Sequence, residues 1–86
     1  MTFKEATEII SHVEQRVSKH LHDLAEEARF EGDQEAQEAA CALRCAWKKN
    51  DLEMLIENEV LTREAAKQYG IAARVAAEWY REQLKY

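Results

Sequence analysis

The chain has 86 residues and a formal net charge of −5, with 2 Gly and no Pro, and it is rich in Ala, Glu, Leu, Lys, Arg and Gln. This length is below that of a typical two-domain protein, and the composition excludes β-rich architectures, whose turns need Gly and Pro. No run approaches the ~20 consecutive apolar residues of a membrane-spanning helix, and the first residues open an acidic amphipathic pattern rather than a secretion signal. We therefore expect one all-α, cytoplasmic domain of four helices.

A narrow apolar stripe predicts a long first helix from about Thr2 to Phe30, with Thr2 and Glu5 as a capping box at its start. At about 1.5 Å per residue this helix would be ~43 Å long, which exceeds what a domain of this size needs. We therefore predict that the stripe also mediates protein–protein contact, in a homodimer. The residues assigned to this contact are Phe3, Ile10, Val13, Val17, His20 and Leu24, together with the acidic Glu26 and Glu27.

A first break is predicted at Gly32 and Asp33. Gly32 can adopt the left-handed conformation that ends a helix, and Asp33 can cap the next one. The second helix, from Gln34 to about Lys49, has a face of small residues and is predicted to pack antiparallel on the first. Residues 1–49 would thus form an acidic helical hairpin, and residues 50–86 the remainder of the same domain.

The C-terminal half is predicted to contain a short third helix and then a helical segment that a break divides in two. Asn50 is predicted to cap a short third helix, and Thr62 to cap a helix over residues 63–69. Gly70 is predicted to break that helix with a tight turn that needs a positive φ, and residues 71–84 to form the final helix. The side chains predicted to meet around this turn are Ala66, Tyr69, Ile71, Val75 and Trp79.

The segment from Thr62 to Arg81, with small Ala66 at the helix crossing and Gly70 at the turn, resembles the helix-turn-helix of Cro-like repressors and of many transposases. With the short third helix, the resemblance implies that residues 50–86 form a helix-turn-helix-like unit of three helices. The resemblance implies a small DNA-binding regulator of transcription, of bacterial or phage type. It also implies that the second helix of the motif enters the major groove and reads base edges with its early exposed side chains. The corresponding positions in this sequence are Ala72, Ala73, Arg74, Ala77 and Glu78.

Positive charge is concentrated in the same half of the chain. Residues 1–43 carry a net charge of −6, and residues 44–86 carry +1. Lys and Arg bind DNA by displacing counterions from its phosphates, so the resemblance implies DNA contacts in this C-terminal half. The residues predicted to bind DNA are Arg63, Lys67, Gln68, Arg74, Arg81 and Lys85.

The acidic N-terminal half and the alanine-rich base-reading positions favour a second hypothesis. In it the chain is an inhibitor or adaptor whose acidic helical surface binds a basic partner protein. A third possibility is a subunit of a helical assembly.

Catalytic and cofactor chemistry have little support in the sequence. No Ser or Cys has a general base at a recognisable spacing, and two glycines cannot form a phosphate-binding loop. We expect a protein that is not an enzyme and that has no cofactor, metal or small-molecule substrate. Cys41 and Cys45 could bind a metal together with His20 or His22, but they are more simply interpreted as reduced, buried, small apolar residues.

Overall fold

The computed structural model describes residues 1–84 and folds them into four α-helices: α1 (Phe3–Glu31), α2 (Gln34–Lys48), α3 (Leu52–Glu57) and α4 (Arg63–Gln83). No strand occurs among these residues. The predicted all-α fold of four helices is therefore confirmed. The predicted ends of the first two helices lie within one residue of the observed ends.

The helices are capped largely where the sequence predicts it. The hydroxyls of Thr2 and Thr62 each accept a hydrogen bond at 3.1 Å from the backbone amide three residues further on. Between α1 and α2, Gly32 adopts the left-handed conformation with a φ of 67°, and the Asp33 carboxylate caps the first turn of α2. This short connection reverses the chain, so that α2 packs antiparallel on α1.

The prediction that Asn50 caps α3 is wrong by one residue. The Asp51 carboxylate accepts the capping hydrogen bond from the Met54 amide at 3.3 Å, whereas Asn50 has a φ of 61°. Asparagine enters the left-handed region more readily than most side chains because its short amide can hydrogen-bond locally. Asn50 therefore makes the turn after α2, and Asp51 caps α3.

The helix break predicted at Gly70 is also wrong. α4 continues from Arg63 to Gln83, and Gly70 does not have a positive φ. A glycine inside a helix costs about 1 kcal/mol relative to alanine, which favourable packing on both sides can offset. Ala66 before it and Ala72 after it are both buried. Residues 63–81 therefore contain no turn between two helices.

α1 is the spine of an elongated molecule that measures 53 × 25 × 18 Å. α2 packs on its C-terminal part, and α4 runs antiparallel along its N-terminal part, where the rings of Phe3 and Trp79 stack with centroids 4.1 Å apart. α2 and α4 meet where the rings of Trp47 and Tyr69 approach to 5.5 Å. The length of α1 is therefore used for packing within the chain.

The main hydrophobic core lies where α1 passes α3 and the start of α4. Leu21 faces this core rather than the predicted His20, which is exposed. Burial of an imidazole without a hydrogen-bond partner would cost free energy, and leucine has no such cost. The core residues are Val13, Val17, Leu21, Leu43, Leu55, Leu61 and Ala66.

The two glycines give opposite predictions for replacement by alanine. Gly70 is helical and has open space where a Cβ would lie, so Gly70→Ala should raise the free energy of unfolding by about 1 kcal/mol. Gly32 also has open space but has a φ of +67°, so Gly32→Ala should lower that free energy by about 1 kcal/mol. Urea unfolding followed by circular dichroism measures both changes. Destabilisation by Gly70→Ala would contradict a continuous α4.

Tyr69 predicts how stability changes at alkaline pH. Its burial, and to a smaller extent the Glu14 carboxylate, raise the pKa of Tyr69 above its ordinary value of 10.0. The stability that this raised pKa contributes is therefore complete below about pH 10 and is lost as the pH rises through the pKa of the folded state. Because phenylalanine has no hydroxyl to ionise, Tyr69→Phe should remove the part of the alkaline loss of stability that Tyr69 causes. Urea midpoints of both proteins from about pH 8 to about pH 11 test this, and parallel curves above pH 10 would contradict it.

Candidate functional site

Four of the residues predicted to bind DNA share one exposed face of α4. Arg63, Lys67, Arg74 and Arg81 follow at intervals of four, seven and seven residues, which a helix arranges as a line. We call these four residues the basic stripe. The fifth, Gln68, lines a groove beside α1 instead. Lys85 lies outside the described residues.

The basic stripe differs from the recognition surface of a helix-turn-helix. α4 is continuous, and two of the positions predicted to read bases are not free, because Ala72 is buried and Ala73 is half-buried. Carboxylates also neutralise part of the positive charge of the basic stripe. Arg63 forms an ion pair with Glu53 at 3.1 Å, and the exposed Glu78 lies one turn beyond Arg74. The geometry of the basic stripe suits electrostatic contact with the phosphate backbone of a nucleic acid better than the reading of base edges.

Most of the apolar contact residues predicted on α1 are used inside the chain. Val13 and Val17 are buried in the core, and Phe3 stacks against α4. Val13 and Val17 are therefore unavailable as a dimer surface. The half-buried members of the predicted set are Phe3, Ile10 and Leu24, and its exposed members are His20, Glu26 and Glu27.

The end of the α1–α2 hairpin, residues 23–38, forms what we call the acidic tip. It carries seven exposed carboxylates against one basic residue, Arg29. Within the described part of the chain, the only ion pair made by these carboxylates joins Glu26 to His22 at 3.3 Å. Phe30 lies in the middle of the tip and is 93% exposed. The seven carboxylates are Asp23, Glu26, Glu27, Glu31, Asp33, Glu35 and Glu38.

A groove of about 790 Å³ lies between α1 and the start of α4, and we call it the α1–α4 groove. Its lining includes the apolar side chains of Ile9, Val60 and Ala65. Three carboxylates and one guanidinium line it, which gives a net charge of −2 with histidines neutral. The lining residues are Glu5, Glu8, Ile9, His12, Val13, Arg16 and His20 of α1, and Glu59, Val60, Leu61, Thr62, Ala65 and Gln68.

Beyond Gln68, further apolar side chains follow along the same side of α4. Ile71, Val75 and Trp79 follow each other at intervals of four residues, on the side of the helix that carries Gln68. Ile71 is 45% exposed, Trp79 is 40% exposed and Val75 is half-buried. The prediction that Ile71 and Trp79 fill a core is wrong, because the core it assumed depended on a turn at Gly70. We call these three residues the α4 apolar stripe.

Within residues 1–84, groups suited to metal binding are not brought together. Cys41 and Cys45 are exposed, contrary to the prediction that they are buried. Across residues 1–84, no three His, Cys, Asp or Glu side chains are grouped so as to hold a metal ion. Over the same range, no helix combines the length and the apolar character needed to cross a membrane.

Comparisons with protein-family models, curated proteins and solved structures found no match. The sequence contains a signal for the acidic tip. Phe30 follows the buried Ala28 by two residues, so it falls outside the three- and four-residue spacing of the apolar stripe on α1. The α1–α4 groove had none, because it depends on how α4 lies against α1.

Proposed function

We propose that the chain is a small, non-enzymatic regulatory protein, an adaptor or inhibitor, that binds a basic surface of a partner protein through its acidic tip. The observation that carries this proposal is the exposed Phe30 ring among carboxylates that have, with the exception of Glu26, no ion-pair partner in the described residues. The acidic tip has a net charge of −6 over residues 23–38. Charge of one sign together with an exposed aromatic ring favours association with an oppositely charged protein surface.

The two features of the tip would contribute differently to binding. Phe30 adds almost nothing to the core of its own chain, whereas burial of a phenylalanine side chain in an interface contributes about 1.5–3 kcal/mol. The carboxylates attract a basic surface from a distance, which accelerates association and selects against acidic partners. A central aromatic residue surrounded by charged groups is the arrangement in which one residue can dominate the binding energy.

Substitutions at the acidic tip should weaken partner binding. The immobilised chain is exposed to a bacterial lysate at about 50 mM salt, and the retained partner should be released at about 500 mM salt, where exposed charges are screened. Glu27→Lys combined with Glu35→Lys, and separately Phe30→Ser, should each reduce retention at least roughly tenfold, as expected for loss of an interfacial anchor.

The matched control is Glu57→Lys combined with Glu78→Lys. Both of these residues are exposed and lie outside the tip, and the pair makes the same change in net charge. This control should retain the partner. The proposal would be contradicted if the control and the tip double variant lost the partner equally, or if the tip variants retained the partner in full.

DNA binding through the basic stripe is a second candidate function. The specific observation in its favour is that the four cations lie along one helix over residues 63–81, a distance of about 27 Å. The acidic tip lies at the opposite end of α1 from the end of α4, which keeps much of the negative charge away from this surface. Because residues 63–81 contain no turn, such binding would follow the DNA backbone with little sequence preference.

Duplex DNA should then bind in a strongly salt-dependent manner. Four phosphate contacts predict a slope of about −3.6 in a plot of log K against log salt concentration. Arg74→Ala should change that slope by about 0.9 and weaken binding to different sequences equally. Fluorescence anisotropy of labelled duplexes measures both effects, and Arg29→Ala in the acidic tip is the control. Absence of binding at about 50 mM salt would exclude this function.

A further inference from the structure

We propose that the α1–α4 groove and the α4 apolar stripe together bind one amphipathic helix with basic flanks from another protein. The bound helix packs against α1 and α4 as the third helix of a bundle. This inference concerns a different surface from the acidic tip. It rests on the proposed function in one respect, which is the basic chemistry of the partner.

The packing of α1 leaves room for a helix on this side. α2 packs on its C-terminal part and the core around α3 covers its middle, whereas α4 is the helix that packs along its N-terminal part. The side of α4 from Thr62 to Trp79 is about 25 Å long, which a helix of about 17 residues spans. The combined surface therefore has the length of an ordinary helix rather than of a small ligand.

The apolar groups of this surface have the spacing that an amphipathic helix recognises. Ile9 and Val60 lie in the α1–α4 groove, and Ile71, Val75 and Trp79 continue along α4. A partner helix with apolar residues at positions i, i+3, i+4 and i+7 presents one continuous stripe to such a surface. Binding would remove the exposed area of Ile71 and Trp79 from water.

Charge decides between a basic helix and a second copy of this chain. A second copy that docked through the same face would bring two surfaces of net negative charge together, which opposes association. A helix flanked by Lys and Arg would bring opposite charges together. The charged residues at the edges are Glu5, Glu8, Glu59 and Glu64 against Arg16, Arg63 and Lys67, which leaves a net charge of −1, and Arg63 is already paired with Glu53.

The test uses a synthetic helical peptide of about 18 residues, with leucine at the i, i+3, i+4 and i+7 positions and lysine elsewhere. A matched peptide has glutamate in place of lysine. We expect the lysine peptide to bind the full ¹⁵N-labelled chain and to shift the amide signals of Ile9, His12, Val60, Gln68 and Ile71. The glutamate peptide should bind at least roughly tenfold more weakly.

Two double variants with the same change in net charge locate the binding site. Glu8→Lys combined with Glu59→Lys should weaken binding of the lysine peptide roughly tenfold. Glu27→Lys combined with Glu35→Lys at the acidic tip should leave it within about twofold. Circular dichroism of both variants confirms that each remains helical. Ile71→Glu should also weaken binding.

Three results would overturn the inference. They are absence of peptide binding, signal shifts confined to the acidic tip, and a dimer in sedimentation equilibrium whose interface covers Ile71 and Trp79 and excludes the peptide. Failure of the peptide while the acidic tip still captures a lysate protein would reject the groove as a helix site and leave the proposed function intact. Peptide binding in the groove without any capture at the tip would reject the proposed function and retain the groove.

Discussion

The fold depends on the burial of one continuous apolar stripe along α1. α2 packs on the C-terminal part of this stripe and α4 on the N-terminal part, and the two partners meet near its middle. Val17, at the centre of the stripe, is completely buried, and the core around it includes residues from all four helices. Hydrophobic burial is the main favourable term in folding, so loss of α1 would leave the other helices without a common surface.

The strength of this packing falls towards the N-terminal end of α1. There the buried residues are Ala6, Ala72 and Ala76, which allow α1 and α4 to approach closely but remove little apolar area from water. The rings of Phe3 and Trp79 add a stacked contact at this end. Leucine and valine are concentrated in the central core. The α1–α4 groove and the α4 apolar stripe therefore lie beside the weaker part of the packing, and the chain leaves their apolar groups partly uncovered.

Local signals in the sequence predicted much of the fold. Thr2, Gly32, Asp33 and Thr62 cap helices as predicted, because each of these caps depends on one side chain and its nearest backbone groups. The break at Gly70 was not a local property. Glycine permits either a helix or a turn, and the packing of the flanking residues on α1 selects the helix.

The candidate surfaces were less accessible to sequence analysis for the same reason. His20 and Leu21 are both compatible with the spacing of the α1 stripe, and the choice between them depends on which side α2 and α3 occupy. The residues of the basic stripe were predicted individually, but their common face follows from the continuity of α4. The α1–α4 groove combines residues far apart in the sequence, such as Ile9 and Val60, so no local pattern encodes it.

The spine also determines how the two proposed protein-binding surfaces relate to each other. On α1, a helix of 29 residues, the acidic tip lies at the C-terminal end and the α1–α4 groove runs from Glu5 to His20. A basic partner that bound both would engage the second surface as an intramolecular step, which strengthens binding without any new contact. The tip would supply long-range attraction, and the groove would supply apolar burial and selectivity. Because a helix in the groove would bury apolar area where the packing of the chain is weakest, its binding energy would also stabilise the fold.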